Sequence, residues 1–277
     1  MPLCTLTLVS LPQGTSIPTF LSTLRSAGIS PIVVAKPLRW IILPSSLSTT
    51  PLLSHSPSHP WTLLLLLPPG TTSLPSSILA SLPLTWSIRA GIPSRLLKDF
   101  ESKNESLLNP PVAPPVYRDE KPLTTPGSRD LELDSELEEW VSSLPERQRS
   151  HPISMLNLLA FVEGRKGEYL KYGAAFGESA GKKHGGNAKI VGTVVKPEKP
   201  AGEGWQHSDG SADGWDEIAI AHYPSLRHFC AMLGSREYQE ANKTYRVGSL
   251  RDTCILCTME VGDDGELRGG RGAGSKL

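Results

Sequence analysis

Between residues 151 and 261 the chain runs strand, helix, strand, strand, helix, strand, and this order constrains the fold more than any other feature. Residues 154–162 form an apolar run of strand length with one polar residue, Asn157, in its middle. From Glu168 to His184 the spacing is helical, with Tyr169, Tyr172, Ala175, Phe176 and Ala180 along one stripe. The stripe ends at Gly185-Gly186, where a helix C-cap wants glycine. A second strand covers residues 188–195 and stops before Pro197. Residues 196–214, rich in Pro, Gly, Ser and Asp, read as a loop. The third strand covers residues 215–223. A helical segment follows Pro224-Ser225, breaks at Gly234, restarts at Ser235, a good N-cap, and carries Tyr238, Ala241 and Tyr245. Residues 253–261 form the last strand.

A βαββαβ order of about this length is the ferredoxin-like plan of the α+β class. Its two helices cover one face of an antiparallel sheet and leave the other bare, so that face must bury against something else. At 277 residues a second domain is expected, and residues 1–104 supply a similar run. Residues 3–11 alternate like a strand, and residues 16–27 are helical, with Ser16 as cap and Phe20, Leu21 and Leu24 on one side. Residues 32–35 and 39–43 read as a hairpin around Lys36-Pro37-Leu38. Strands at 61–67 and 84–89 then flank a short helix at 74–82, and residues 94–103 are helical. The expectation is two ferredoxin-like βαββαβ units whose sheets pair into an internal pseudo-dimeric α/β barrel. The alternative is a homodimer formed by the second unit alone.

Residues 44–60, rich in Ser and Pro, are of low complexity. Residues 105–150 read as a Pro-rich linker followed by an acidic amphipathic helix at 131–144, with Leu133, Leu137, Trp140 and Val141 on its docking side. Residues 262–277 are Gly-rich and charged, and are expected to be disordered. They end in Ser275-Lys276-Leu277, which at a free carboxyl terminus is the address read by the peroxisomal import receptor. The expectation is therefore a soluble protein of the peroxisomal matrix.

Several function classes are disfavoured. Lys+Arg and Asp+Glu are equal at 28 each, so no global field draws nucleic acid or an acidic membrane. The apolar stretch Leu63–Leu67 is far too short to span a bilayer, and the N-terminus lacks the basic region of a secretory signal. Four cysteines are too few for a disulfide framework. Cys254 and Cys257 are spaced C-x-x-C, but on a strand that spacing sends them to opposite faces, so buried thiols rather than a redox or zinc pair are expected. No phosphate-binding loop, nucleophile elbow or zinc-ligand spacing is present. The loop holding His207, Asp209 and Asp213 matches no metal-ligand pattern.

The pieces Met155-Leu156-Asn157-Leu158-Leu159-Ala160-Phe161, Tyr169-Leu170-Lys171-Tyr172, His184-Gly185-Gly186, Ala221-His222-Tyr223-Pro224-Ser225, Tyr238-Gln239 and Tyr245-Arg246 through Asp252-Thr253 resemble the dimeric α/β-barrel superfamily. More narrowly they resemble its uncharacterised "1330" domain-of-unknown-function branch, over residues 151–261. The resemblance implies the fold. For function it implies a range, because relatives include monooxygenases, haem-binding enzymes, cyclases and plain binding modules.

Strand alternation sorts the faces. If Ile218 and Ile220 meet the helices, Glu217 and Asn157 fall on the open face inside a barrel, and Lys189 joins them from the second strand. There a carboxylate in apolar surroundings suits a general base, with Asn157 polarising a carbonyl. A Lys189–Glu217 ion pair is the alternative, and a slip of one residue reverses the whole assignment. His222 is the third catalytic candidate; Tyr223, Tyr238, Lys189 and Arg246 are the substrate-binding candidates. Arg246 can clamp a carboxylate or phosphate, or bridge to Asp252. Haem-binding relatives use a histidine, but no motif singles out His222, His184 or His228, so no cofactor or metal is expected. The reading is a small-metabolite enzyme of cofactor-independent isomerase, cyclase or monooxygenase type. Its alternative is a non-catalytic ligand-binding or assembly module.

Overall fold

The computed structural model describes residues 1–47, 52–53, 61–119, 122–123, 131–178, 180–196 and 207–270. The first half runs β1 (Leu3–Ser10), α1 (Ile17–Ser26), β2 (Val33–Ile42), β3 (Leu63–Leu67), α2 (Ser76–Leu79) and β4 (Leu84–Gly91). Four helices follow: α3 (Ser94–Leu97), α4 (Phe100–Leu108), α5 (Ser135–Ser143) and α6 (Glu146–Arg149). The second half runs β5 (Ile153–Phe161), α7 (Lys166–Glu178), α8 (Ala180–His184), β6 (Asn187–Val194), β7 (His207–Asp209), β8 (Glu217–Tyr223), α9 (Leu226–Leu233), α10 (Arg236–Ala241) and β9 (Leu250–Glu260).

Each half arranges its four main strands alike. The order is β4-β1-β3-β2 in the first and β9-β5-β8-β6 in the second, which is the ferredoxin-like order fourth, first, third, second. Antiparallel pairing of β2 with β9 and of β4 with β6 joins the halves into a closed barrel of eight strands. One chain thus builds the α/β barrel, and β7 adds a short parallel strand to β4. Closure leaves no unpaired edge among the eight strands.

The barrel interior is filled largely by apolar side chains. Leu6, Leu8, Leu64 and Leu66 from the first half meet Leu156, Leu158, Ile218, Ile220 and Leu256 from the second, each 0–2% exposed. Burial of such a side chain contributes about 1.5–3 kcal/mol, so interdigitation of the two sheets is a major source of stability. A second apolar layer lies between the other face of the second sheet and helices α5, α7, α9 and α10, and a third under α1 and α2.

The expected hairpin at 32–43 is instead one strand. β2 runs through Pro37 with register shifts at Pro37/Arg39 and Trp40/Ile42, and from Ala35 to Ile42 it pairs with the distant β9. A proline without an N–H marks a bulge as readily as a turn, and only the remote partner decides between them. The acidic helix forms as α5, with Asp134 capping it by accepting from the Leu137 N–H at 2.7 Å. Leu137 and Val141 pack with Ile41 and Ile42 of the first half and with α9 of the second. The segment expected to be disordered is ordered through Gly270: Val261 bridges Leu267, and the Gly270 N–H donates to the Leu108 carbonyl at 3.1 Å. Ser275, Lys276 and Leu277 lie outside the described residues. Cys254 and Cys257 face opposite sides of β9, each a buried free thiol. No helix among the described residues is long and apolar enough to cross a membrane.

Candidate functional site

The sheet faces are reversed from the sequence expectation. Ile218 and Ile220 point into the barrel, and Glu217, Ala219, Ala221 and Tyr223 point toward the helices. Asn157 follows, because it pairs with Ala219 across β5 and β8, while Leu159 pairs with Glu217. Both faces of this sheet are covered, one by helices and one by the other sheet, so alternation alone could not tell inside from outside. The bulkier aliphatic set takes the barrel interior, and the set with polar and small members takes the helix side.

A cavity of about 190 Å³ opens there, between the sheet and α7. Its floor is made of small residues, Ala188, Ala219 and Ala221, and Gly173 of α7 stands opposite. A β-carbon on Gly173 would meet nothing within 4 Å. The walls are aromatic: Tyr169, Tyr172, Phe176, Tyr223 and Phe229. Tyr223 packs edge-on against Phe229 at 5.1 Å and Phe176 at 6.4 Å between ring centroids. Besides the Tyr223 phenol, the sheet lines it with two polar side chains, Asn157 and Glu217. Glu217 is a buried carboxylate at one end, its side chain 9% exposed, and the half-exposed Lys166 of α7 holds its Oε2 at 2.9 Å. Asn157 donates one amide N–H to the Met155 carbonyl at 2.9 Å.

Arg246 lies beyond the tyrosines. It belongs to a single π-helical turn, Asn242–Arg246, that follows α10, and it is 2% exposed. The expected bridge to Asp252 is absent. Asp252 instead accepts from the backbone N–H groups of Ser45, Ser46 and Leu47 at 2.7–2.9 Å. Burial pushes its carboxyl up, but those donors outweigh burial and hold it below the ordinary aspartate value. Arg246 lies close enough to Tyr169 for its charge to act on the phenol, and it reaches Thr253 Oγ1 at 3.5 Å. Among the described residues it has no carboxylate partner within salt-bridge distance. Burial pushes the phenols of Tyr169, Tyr172, Tyr223 and Tyr238 up, and the nearby Arg246 charge partly opposes this in all four. Tyr238 donates to or accepts from the Tyr172 hydroxyl at 3.2 Å, behind the cavity wall.

Lys189 and His222 are not part of this cavity. The register of β6 shifts between Ala188 and Ile190, and the bulge turns Lys189 inward beside Ile190. There it pairs with Glu260, rather than Glu217, and donates to Asn104 Oδ1 of α4 at 2.9 Å. His222, on the barrel face of β8, is 1% exposed, and its Nδ1 has no hydrogen-bond partner. Burial, reinforced by the Lys189 and His228 charges, pushes its pKa down to about 3. His228 is held by Ser225 Oγ at 2.7 Å and by the Pro114 carbonyl at 3.1 Å. Burial, reinforced by the Lys183 charge, pushes the His184 pKa down. Among the described residues no group of His, Cys, Asp and Glu is placed to hold a metal ion.

Of the sequence candidates, Asn157, Glu217 and Tyr223 share the cavity, and Tyr238 and Arg246 stand directly behind it. The sequence reading missed Tyr169 and Tyr172 as lining residues, having assigned them to a helix stripe. The available signal was the conjunction of Ala219 and Ala221 on one strand face with Gly173 inside an aromatic stripe: small residues where a core would be filled.

No family model matches the chain, and no curated protein matches it. Among solved structures, a protein of unknown function from Rhodopseudomonas palustris is 23% identical over 44% of this chain and 90% of its own, with a TM-score of 0.32. A proposed monooxygenase from Lactobacillus acidophilus is 6% identical over 97% of both chains, with a TM-score of 0.43. Another, from Fusobacterium nucleatum, is 6% identical over 100% of this chain and 98% of its own, with a TM-score of 0.44. Likeness at this level assigns no activity.

Proposed function

We propose that this protein binds a small, largely apolar metabolite in the cavity between α7 and the second sheet, and that Glu217 acts on it as a general base without a cofactor. One observation carries the reading: a buried carboxylate lines an aromatic-walled cavity whose floor is built of alanines. An apolar enclosure with few fixed polar groups is the usual form of a small-molecule site. A base in such a site serves isomerase, cyclase or monooxygenase-type chemistry where that chemistry begins with removal of a proton. The peptide motifs of residues 151–261 support a place in the "1330" branch of the dimeric α/β-barrel superfamily, and relatives of that superfamily include enzymes of these types.

The second reading, a non-catalytic binding or assembly module, is favoured by the ion pair of Glu217 with Lys166, which occupies one carboxylate oxygen. Native mass spectrometry of protein from its own cells, followed by turnover assays on the ligand it releases, separates the two. Enzyme activity abolished by Glu217→Gln with the fold intact supports the base. Unchanged turnover in that variant eliminates it. The tripeptide Ser275-Lys276-Leu277, where it stands at a free carboxyl terminus, supports a peroxisomal address. Peroxisomal import that survives its deletion would remove that part of the proposal.

A further inference from the structure

Arg246 and Tyr169 together make a feature that the general-base reading does not use. Arg246 is near enough for its charge to act on the Tyr169 phenol, and an arginine side chain has donors and no acceptor, so it is the tyrosine oxygen that faces it. The Tyr169 O–H proton is then left for another acceptor, and Tyr169 lines the cavity. Behind it, Arg246 is 98% removed from solvent and has no carboxylate partner among the described residues. Its other contact is a 3.5 Å approach to Thr253 Oγ1. A buried guanidinium that lacks a counter-charge favours an anion nearby. Glu217 lines the same cavity, near enough to Tyr169 for its charge to act on the phenol.

We propose that Tyr169, with Arg246 behind it as a positioning residue, is an oxyanion-binding donor, and that the cavity takes an enolisable carbonyl compound. This rests on the cavity being the binding site. The carbonyl oxygen accepts from the Tyr169 O–H, and the adjacent acidic carbon faces Glu217. The Glu217 carboxylate takes the C–H proton; the C–H electron pair becomes the new C=C bond, and the carbonyl π pair moves onto oxygen. The enolate oxygen is held by Tyr169, which keeps its own proton. Return of the proton from Glu217 to the far end of a conjugated enolate restores the carboxylate and leaves an isomer. No oxidant or cofactor enters the balance. The donor is preorganised, so it is worth more to the developing anion than to the neutral carbonyl.

The test uses the full chain with 4-nitrophenol as enolate mimic and nitrobenzene as its neutral counterpart, each titrated by absorbance. The expected result is that the protein takes up the phenolate and lowers the apparent pKa of the bound phenol. Tyr169→Phe and Arg246→Gln should each weaken phenolate binding by about tenfold or more, with nitrobenzene binding unchanged, the loss of a charge-assisted hydrogen bond. Glu217→Gln should strengthen phenolate binding by removing a like charge. Should Arg246→Gln fail to fold, Tyr169→Phe, which deletes a single hydroxyl, carries the test alone. Nitrobenzene binding without phenolate preference overturns the oxyanion inference and leaves the cavity reading standing. Binding of neither probe overturns both.

Discussion

Lys189 and Glu260 form an ion pair inside the barrel, with side chains 2% and 1% exposed. Asn104 completes it, donating to Glu260 Oε2 at 2.7 Å and accepting from Lys189 Nζ at 2.9 Å. The pair sits where α4 stoppers one end of the barrel, with Phe100 packed into the apolar core beside it. Breaking a buried pair from one side leaves an uncompensated charge, which costs about 3–5 kcal/mol. Glu260→Ala should therefore lower the unfolding free energy in urea by about that much, and the double variant Lys189→Met/Glu260→Met should recover most of the loss. A Glu260→Ala protein as stable as the parent would show that the pair is open to water.

Asp252 should give the fold an acid-sensitive clasp. Its carboxylate collects the backbone N–H groups of the turn after β2, and these hold its pKa below the ordinary value of 3.8 despite burial. A depressed folded-state pKa stabilises the fold above the unfolded value and loses that contribution as pH falls through the folded one. Asp252→Asn should lose about 1–3 kcal/mol at neutral pH. The gap between variant and parent should close in strong acid, as read from denaturation curves at stepped pH.

His222 has the same sign of effect in a higher window. The fold keeps it neutral down to about pH 3, whereas the unfolded chain protonates it near 6.5. Between those values the unfolded state binds the extra proton, so stability falls with acidification by about 1.4 kcal/mol per pH unit from this residue. His184, His228 and His151 are also shifted down and add to the slope, so the comparison must be with His222→Asn. That variant should show a shallower decline between pH 6.5 and 4; equal slopes would mean His222 is solvated.

Gly173 should be a clean handle on the cavity. A side chain there enters open space at the cavity wall, and replacing a helical glycine with leucine gains roughly 0.8 kcal/mol in propensity. Gly173→Leu should therefore melt at the same or a higher temperature while losing nitrobenzene binding. A variant that binds normally would place the ligand elsewhere.

Local sequence accounts for the ferredoxin-like order of the second half, the caps at Ser16 and Ser235, the left-handed Gly185 after α8, and the opposed burial of Cys254 and Cys257. Each follows from interactions within a few residues, where periodicity and cap chemistry act. It also supplied Glu217, Asn157 and Tyr223 as members of one face. Tertiary structure alone decided which face that was, because β8 is covered on both sides and only closure against the first half makes one side the barrel interior. The same holds for Pro37, which becomes a bulge because β9 pairs along it, and for Lys189, which a bulge in β6 turns from Glu217 toward Glu260. Arg246 has Asp252 six positions away, yet the loop after β2 reaches Asp252 first with its backbone donors. Long-range pairing sets strand register and charge partners, and those interactions are not written in local spacing.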